Sequence, residues 1–403
     1  MRYILHCDLN NFFASVEMLS KPELRNVPMA VSGDPNTRHG IILAKNEIAK
    51  RKYGIYTPET VYSALRKCPN IVLVKPHYSE YKKYSDLVNE VYMKYTDRVE
   101  KFSIDESFLD VTESTTIFGS PYEIAYKIKE EIKEKYGLTI SVGVSFCKVF
   151  AKLGSDLKKP DAITILDMDN YKDKIYDLPV EYLLYVGKNT KEKLNKMGIK
   201  TIGDLAKSNK YRIVKHLGKL GEQIYNYATG NDTDEVKYYY MKEERKSISK
   251  GITFSKDISD SIVLEQELLK LTSEISHELR IKKLKANVIQ IVLKDDNFIS
   301  SSRQKKVEET NLYDDMSRNV IELFRDNFVE GTKLRYVCVG VNNLKSEDED
   351  EQLNIFSIVE EEKNIEVVKQ SKKKAEVAKA MDKLKEKFGD KIDYASVIKS
   401  KKW

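Results

Sequence analysis

Three acidic residues stand where ordinary surface charge is a poor explanation for them. Asp8 ends the short apolar run from Tyr3 to Cys7, and the adjacent Asp105 and Glu106 lie inside a second strand-like stretch, Val99 to Val111. Carboxylates set among apolar residues are costly to bury unless they are paired or bind cations. At the ends of neighbouring strands they would supply the concentrated hard-oxygen donors that two divalent ions a few ångströms apart require. Adjacent strand residues point to opposite faces, so Asp105 and Glu106 can share a site only at a strand end or a bend. A lone Asp-Glu pair is ordinarily a turn, and Asp8 alone a helix cap; it is the three together, in apolar surroundings, that point to metal.

The elements that must position these acids follow from periodicity. Tyr3 to Cys7 reads as a buried strand ending at Asp8, and Phe12 to Leu19 turns to helical spacing. Tyr78 onward is helical, Pro121 to Tyr136 is a helix closed by Gly137, and Leu138 to Ser145 alternates as a strand. This order suits a split βαβ sheet with helices on one face. From Leu178 to Gly230 short helical segments are punctuated by glycines, which predicts a small helical domain. Asn231 to Glu244 reads as a tether, and Ser247 to Leu344 repeats strand, helix, strand, strand, helix, strand. The nearly all-acidic Ser346 to Glu351 then opens a tail, in which Gln352 to Phe356 is an isolated apolar cluster and Val377, Met381, Leu384 and Phe388 recur at helical spacing.

Composition bounds the function only loosely. Lys plus Arg exceed Asp plus Glu by 69 to 63 in 403 residues, a mild basic excess compatible with a polyanionic partner. Cys7, Cys68, Cys147 and Cys338 show no zinc spacing and read as buried thiols of a reducing compartment. With no basic leader and no apolar run near the ~20 residues of a membrane span, the expectation is a cytoplasmic protein without membrane association.

The stretch Cys7-Asp8-Leu9-Asn10-Asn11-Phe12-Phe13-Ala14-Ser15-Val16-Glu17, followed by Ser103-Ile104-Asp105-Glu106-Ser107-Phe108-Leu109-Asp110, resembles the signature motifs of the Y-family translesion DNA polymerases, in particular their DinB or polymerase IV type. Ser141 to Ser145 with Lys148 and Lys159-Pro160 is a third match, and the likeness runs from residue 1 to about 344. It implies an α+β multidomain fold: a palm with a βαββαβ sheet (1-166) with small helical fingers inserted at about 12-77, a helical thumb with a helix-hairpin-helix (167-232), a linker (233-245), a separate βαββαβ little finger (246-344), and a tail (345-403) with a helix over 371-388. By the same resemblance Asp8, Asp105 and Glu106, with the Leu9 carbonyl, hold two Mg²⁺ and catalyse dNTP addition to a primer 3′-hydroxyl, at low fidelity and past damaged template bases.

Phe12, Phe13, Arg51 and Lys159 are the nucleotide-binding positions by similarity; Phe13 is the steric gate against a 2′-hydroxyl, and the ring of Phe12 itself reads as core. Counting back from Gly54 selects Arg51 for the triphosphate, and counting forward from Ala44 selects Lys50. Gly187 and Lys188 in the hairpin, with Lys148, Lys250 and Arg303, are the candidate contacts to primer-template DNA, although Tyr185 stands where the hairpin usually has glycine. Gln352, Leu353, Ile355 and Phe356 resemble the peptide that binds the sliding clamp, the β subunit, and the chain is expected to act as a monomer. Among other classes, a nucleotidyl cyclase has no use for the extra domains, a nuclease none for a steric gate, and a DNA-binding scaffold none for the three acids.

Overall fold

The computed structural model describes residues 1–34, 40–241, 244–347, 376–377, 380–384, 387–388 and 394; the peptide Gln352 to Phe356 lies outside the described residues. The chain divides into two compact units, Met1–Lys242 and Glu243–Trp403. Among the described residues no helix is long and apolar enough to cross a membrane.

In the first unit the strands are β1 (Ile4–Leu9), β2 (Met29–Ser32), β3 (Ile42–Lys45), β4 (Val72–Val74), β5 (Val99–Lys101), β6 (Glu106–Asp110), β7 (Ile140–Ser145) and β8 (Ile163–Leu166). Five of them form one sheet in the order β5-β6-β1-β7-β8. β1 is central and every one of its residues is buried, its polar side chains His6 and Asp8 included. Leu5, Cys7 and Leu9 join the main core with Tyr81 and Val88 of the helix Tyr78–Tyr92 and Ile124 and Ile128 of the helix Pro121–Tyr136. The latter helix starts on a Ser120/Glu123 capping box and ends at Gly137 with φ 64°, so both of its boundary signals are local. The opposite face of β1 carries His6 and Asp8 and meets the helix Lys148–Leu157.

That helix lies unusually close. A Cβ on Gly143 of β7 would stand 1.8 Å from the Ala151 carbonyl oxygen, so only glycine lets the helix settle onto the sheet. The segment inserted between β1 and the helix Tyr78–Tyr92 holds the expected helices, Glu47–Tyr53 and Val61–Lys67, and also a three-stranded sheet, β3-β2-β4, with its own small core of Ile42, Ala49, Ile55 and Val61. The residue pattern did not announce that sheet because its strands run only three or four residues, too short for a period to register. The helices Lys188–Lys196, Ile202–Lys207 and Lys210–Ala228 enclose a further core with Leu194, Ile202, Leu205, Ile213 and Ile224.

The second unit is β9 (Ser247–Ile258), the helix Ser261–Ile281, β10 (Leu284–Asp295), β11 (Ser300–Thr310), the helix Tyr313–Asn327 and β12 (Leu334–Ser346). The sheet is antiparallel, in the order β11-β10-β12-β9. Leu264, Leu268 and Ile275 of the first helix and Met316 and Phe324 of the second pack on Ile289, Ile291, Val337 and Val339, each fully buried aliphatic side chain contributing about 2 kcal/mol. In the tail, residues 376–377, 380–384 and 387–388 are helical. Asp382 there accepts hydrogen bonds from Arg280 Nε at 2.6 Å and Nη2 at 2.7 Å and pairs with His277 Nδ1 at 2.7 Å, while Tyr394 stacks on Tyr313 at 4.0 Å. The tail helix thus docks on its own unit.

Replacing Gly143 by Ala forces the helix Lys148–Leu157 off the sheet, so thermal or urea unfolding is expected to show a loss of about 3 kcal/mol, as overpacking against backbone does.

Candidate active site

Pairing β1 with β6 places Asp8 directly opposite Glu106. Asp105 sits in the bend just ahead of β6, where the Leu9 N–H donates to its carbonyl at 2.9 Å and Ser103 Oγ to its carboxylate at 2.6 Å. The bend is what allows neighbouring acids to serve one site. All three carboxylates, with Leu9, line a cavity of about 550 Å³.

Each buried acid has a lysine from the same stretch of chain. Lys159 Nζ lies 2.6 Å from Asp8 Oδ2 and 2.8 Å from Asp156. Lys152 Nζ donates to both oxygens of Glu106 at 2.9 Å. Behind them His6, fully buried, shares a hydrogen bond with Ser155 Oγ through Nδ1 at 2.8 Å and sets Nε2 3.7 Å from Glu106. Burial pushes the Asp8 carboxyl up to about 7, with Lys159 opposing and Glu106 reinforcing the rise. For Glu106 burial also works upward, but the nearby His6 ring and the two hydrogen bonds from Lys152 outweigh it and hold the carboxyl well below its usual range. Burial disfavours the Lys159 ammonium, yet Asp8 and Asp156 more than compensate and its pKa is raised.

Among the described residues no three acidic, histidine or cysteine side chains converge on one point; Asp105 is engaged with Ser103, and Glu106 with Lys152. The donors are nonetheless hard carboxylate oxygens facing one cavity, and the Lys159 ammonium against Asp8 is a stand-in cation. On that chemistry the residues fit divalent ions.

Phe13 also lines the cavity, its ring stacked on Tyr81 with centroids 4.2 Å apart and 11° between planes. Phe12 borders the cavity as well, 3% exposed and part of the main core. Arg51 does not line the cavity: it is an exposed helix cation paired with Glu47 at 2.7 Å. Lys50 lines it instead, because Asn46 caps the helix Glu47–Tyr53 and so sets which residue of the first turns faces inward. Lys45, at the end of β3, and Asn11, which donates to Glu47 at 3.0 Å, are wall residues the sequence reading missed. The only hint was the polar Lys45-Asn46 step closing an apolar run.

The expected DNA contacts divide. Gly187 is the N-cap of the helix Lys188–Lys196, a Cβ there would meet nothing within 4 Å, and Lys188 is exposed, so the first backbone N–H groups of that helix are open to a phosphate. Tyr185 has φ 68° and stacks on Tyr227; the backbone keeps the left-handed turn that glycine favours, and the side chain tolerates it. Lys148 is held by both oxygens of Glu100 at 2.8 and 2.9 Å. Lys250 and Arg303 stand opposite core residues Val339 and Ile291 and therefore point to the helix-covered side of their sheet, where they meet Glu278 at 3.3 Å and Asn327 at 2.9 Å. The open side carries Ser249, Gln290, Ser302, Gln304 and Lys306 instead, by the same alternation.

Lys152→Met should cost about 2 kcal/mol near neutral pH, as expected for a partly buried pair. Because the folded Glu106 carboxyl is depressed, that contribution is present above its ordinary value of 4.5 and fades as pH falls below it. Urea midpoints of wild type and variant should converge on acidification; a gap independent of pH would refute the pairing.

Residues 7–156 match the impB/mucB/samB family, residues 245–355 its C-terminal domain, and residues 183–232 the thumb domain described for DNA polymerase-iota. The chain is 42% identical to a DNA polymerase IV of Acetivibrio thermocellus over 96% of its own length and 95% of the relative's. It is 37% identical to one of Clostridium kluyveri over 100% and 99%. A solved Y-family DNA polymerase chimera, Dbh-Dpo4(243-245)-Dbh, shares the fold with a TM-score of 0.76 at 24% identity, over 85% of this chain and 99% of that one. With motifs, architecture and near full-length relatives in agreement, the chain belongs to the Y family of translesion DNA polymerases, in its DinB branch, and is a DNA-directed DNA polymerase.

Proposed function

We propose that this polymerase extends a primer 3′-hydroxyl in the cavity at Asp8, Asp105 and Glu106 by two-metal phosphoryl transfer, with low fidelity and with tolerance of damaged template bases. The observation that carries the site is the β1–β6 register, which sets Asp8 against Glu106 beside the bend of Asp105. These carboxylates and the Leu9 carbonyl would hold two Mg²⁺, which when bound supply the positive charge that activates the 3′-oxygen and neutralises the triphosphate.

The chain's own residues supply position. Lys159 and Lys50 on the cavity wall bind the triphosphate oxygens, and Lys159 leaves Asp8 to do so. Phe13 lies under the sugar, where a 2′-hydroxyl would clash with its ring. The hairpin at Gly187 and Lys188 grips a DNA phosphate without reading bases, and the open side of the β9–β12 sheet, small and polar at Ser249, Gln290 and Ser302, suits the duplex backbone. The domains are a palm (1-166) with fingers, a thumb (167-232), a linker (233-245) and a little finger (246-344); Gln352 to Phe356 tethers a monomer to the sliding clamp and raises its concentration at the primer end.

Purified protein with Mg²⁺ and dNTPs should extend a labelled primer on a template, and Asp105→Ala or a chelator should abolish extension without unfolding the chain. No extension by folded wild type at high enzyme concentration would sink the reading. In steady-state kinetics Lys50→Ala should raise the KM for dNTP about tenfold, the loss of one charge-assisted phosphate contact, whereas Arg51→Ala should leave it unchanged.

A further inference from the structure

Glu17 is a buried carboxylate with no part in the chemistry above. It is 3% exposed, and its Oε1 accepts from the Tyr81 hydroxyl at 2.5 Å and is paired with His77 Nδ1 at 2.8 Å. Glu17 lies one turn beyond Phe13 on the helix Phe12–Ser20, so the two side chains share a face of that helix. His77 and Tyr81 have the same spacing at the start of the helix Tyr78–Tyr92, His77 being its N-cap. The two helices are thus joined by a closed bracket: Phe13 stacks on Tyr81, Tyr81 is hydrogen-bonded to Glu17, and Glu17 returns to Phe13 through one helical turn. Tyr81 is fully buried, and burial together with Glu17 raises its phenol pKa; its hydroxyl is therefore a donor at any physiological pH.

A wall excludes a 2′-hydroxyl only if it does not yield. An aromatic ring on one helix can turn or retreat by the few tenths of an ångström that admit an extra oxygen, unless the ring behind it is itself immobile. Tyr81 is that second ring, and the hydrogen bond to Glu17 fixes where it lies. We infer that Glu17, clamped by His77, is a positioning residue for sugar selection: it holds Tyr81, and through Tyr81 the Phe13 ring, so that deoxyribonucleotides are accepted and ribonucleotides refused. This rests on Phe13 being the gate, so the experiment tests the two ideas separately.

Single-nucleotide incorporation is measured on the full chain with each dNTP and its rNTP, and the ratio of the two kcat/KM values is compared for wild type, Phe13→Ala, Tyr81→Phe, Glu17→Gln and Glu17→Leu, with melting temperatures recorded alongside. Tyr81→Phe keeps the stack but loses the hook, and should raise rNTP use about tenfold, the discrimination attached to one pocket contact, with dNTP use unchanged. Glu17→Leu should do the same, and Glu17→Gln, which keeps an acceptor for the hydroxyl, should retain most of the selection. If Phe13→Ala loses selection while folded Tyr81→Phe and Glu17→Leu keep it, the bracket is wrong and the gate stands. If Phe13→Ala leaves the ratio at the wild-type value, the gate reading fails and this inference with it. A proportional fall in both dNTP and rNTP use, with the ratio constant, marks a merely structural role and overturns the proposal.

Discussion

Everything in the first unit turns on the cost of placing Asp8 and Glu106 side by side in the middle of a sheet. The β1–β6 register brings two like charges together where solvent is largely excluded, a placement that is unfavourable by itself. Lysines meet that cost, both from one stretch of chain: Lys152 on the helix that lies over the sheet and Lys159 just beyond its end. The helix must come close enough for Lys152 to reach, and this is why Gly143 has no room for a side chain. His6, buried under the same helix, completes the packing by facing Ser155 on one side and Glu106 on the other.

Lysines compensate the carboxylates from within the protein, and Lys159, at the cavity wall, lies between two acids, Asp8 and Asp156. The same cavity is lined elsewhere by Phe13, whose ring stacks on Tyr81. Charge compensation is thus supplied by flexible chains, and shape by rings pinned between two helices.

The second unit follows a different logic. Its helices cover one side of the sheet and take the basic residues Lys250, Arg303 and Lys305 into pairs with Glu278, Asn327 and Glu322. What remains on the open side is mostly small, polar and uncharged. A basic residue in the sequence of such a strand is therefore a poor guide to the face it occupies, since alternation and the charge of the neighbouring helix decide where it points.

Much of the fold was legible locally. The short apolar stretch that opens β1, the capping box at Ser120 and Glu123, Gly137 with its positive φ, and the strand-helix order of the second unit are each written within a few residues, because hydrogen-bonding and backbone preferences act over one or two turns. The acids Asp8, Asp105 and Glu106 were legible for a similar reason, as charges where the pattern calls for apolar side chains. Which lysine meets which acid, that Lys50 rather than Arg51 faces the cavity, that Lys45 joins it, and that Lys148 is spent on Glu100 were decided only in three dimensions. Partners separated by dozens of residues are selected by register, helix rotation and packing distance, and the sequence of either partner alone carries no record of these.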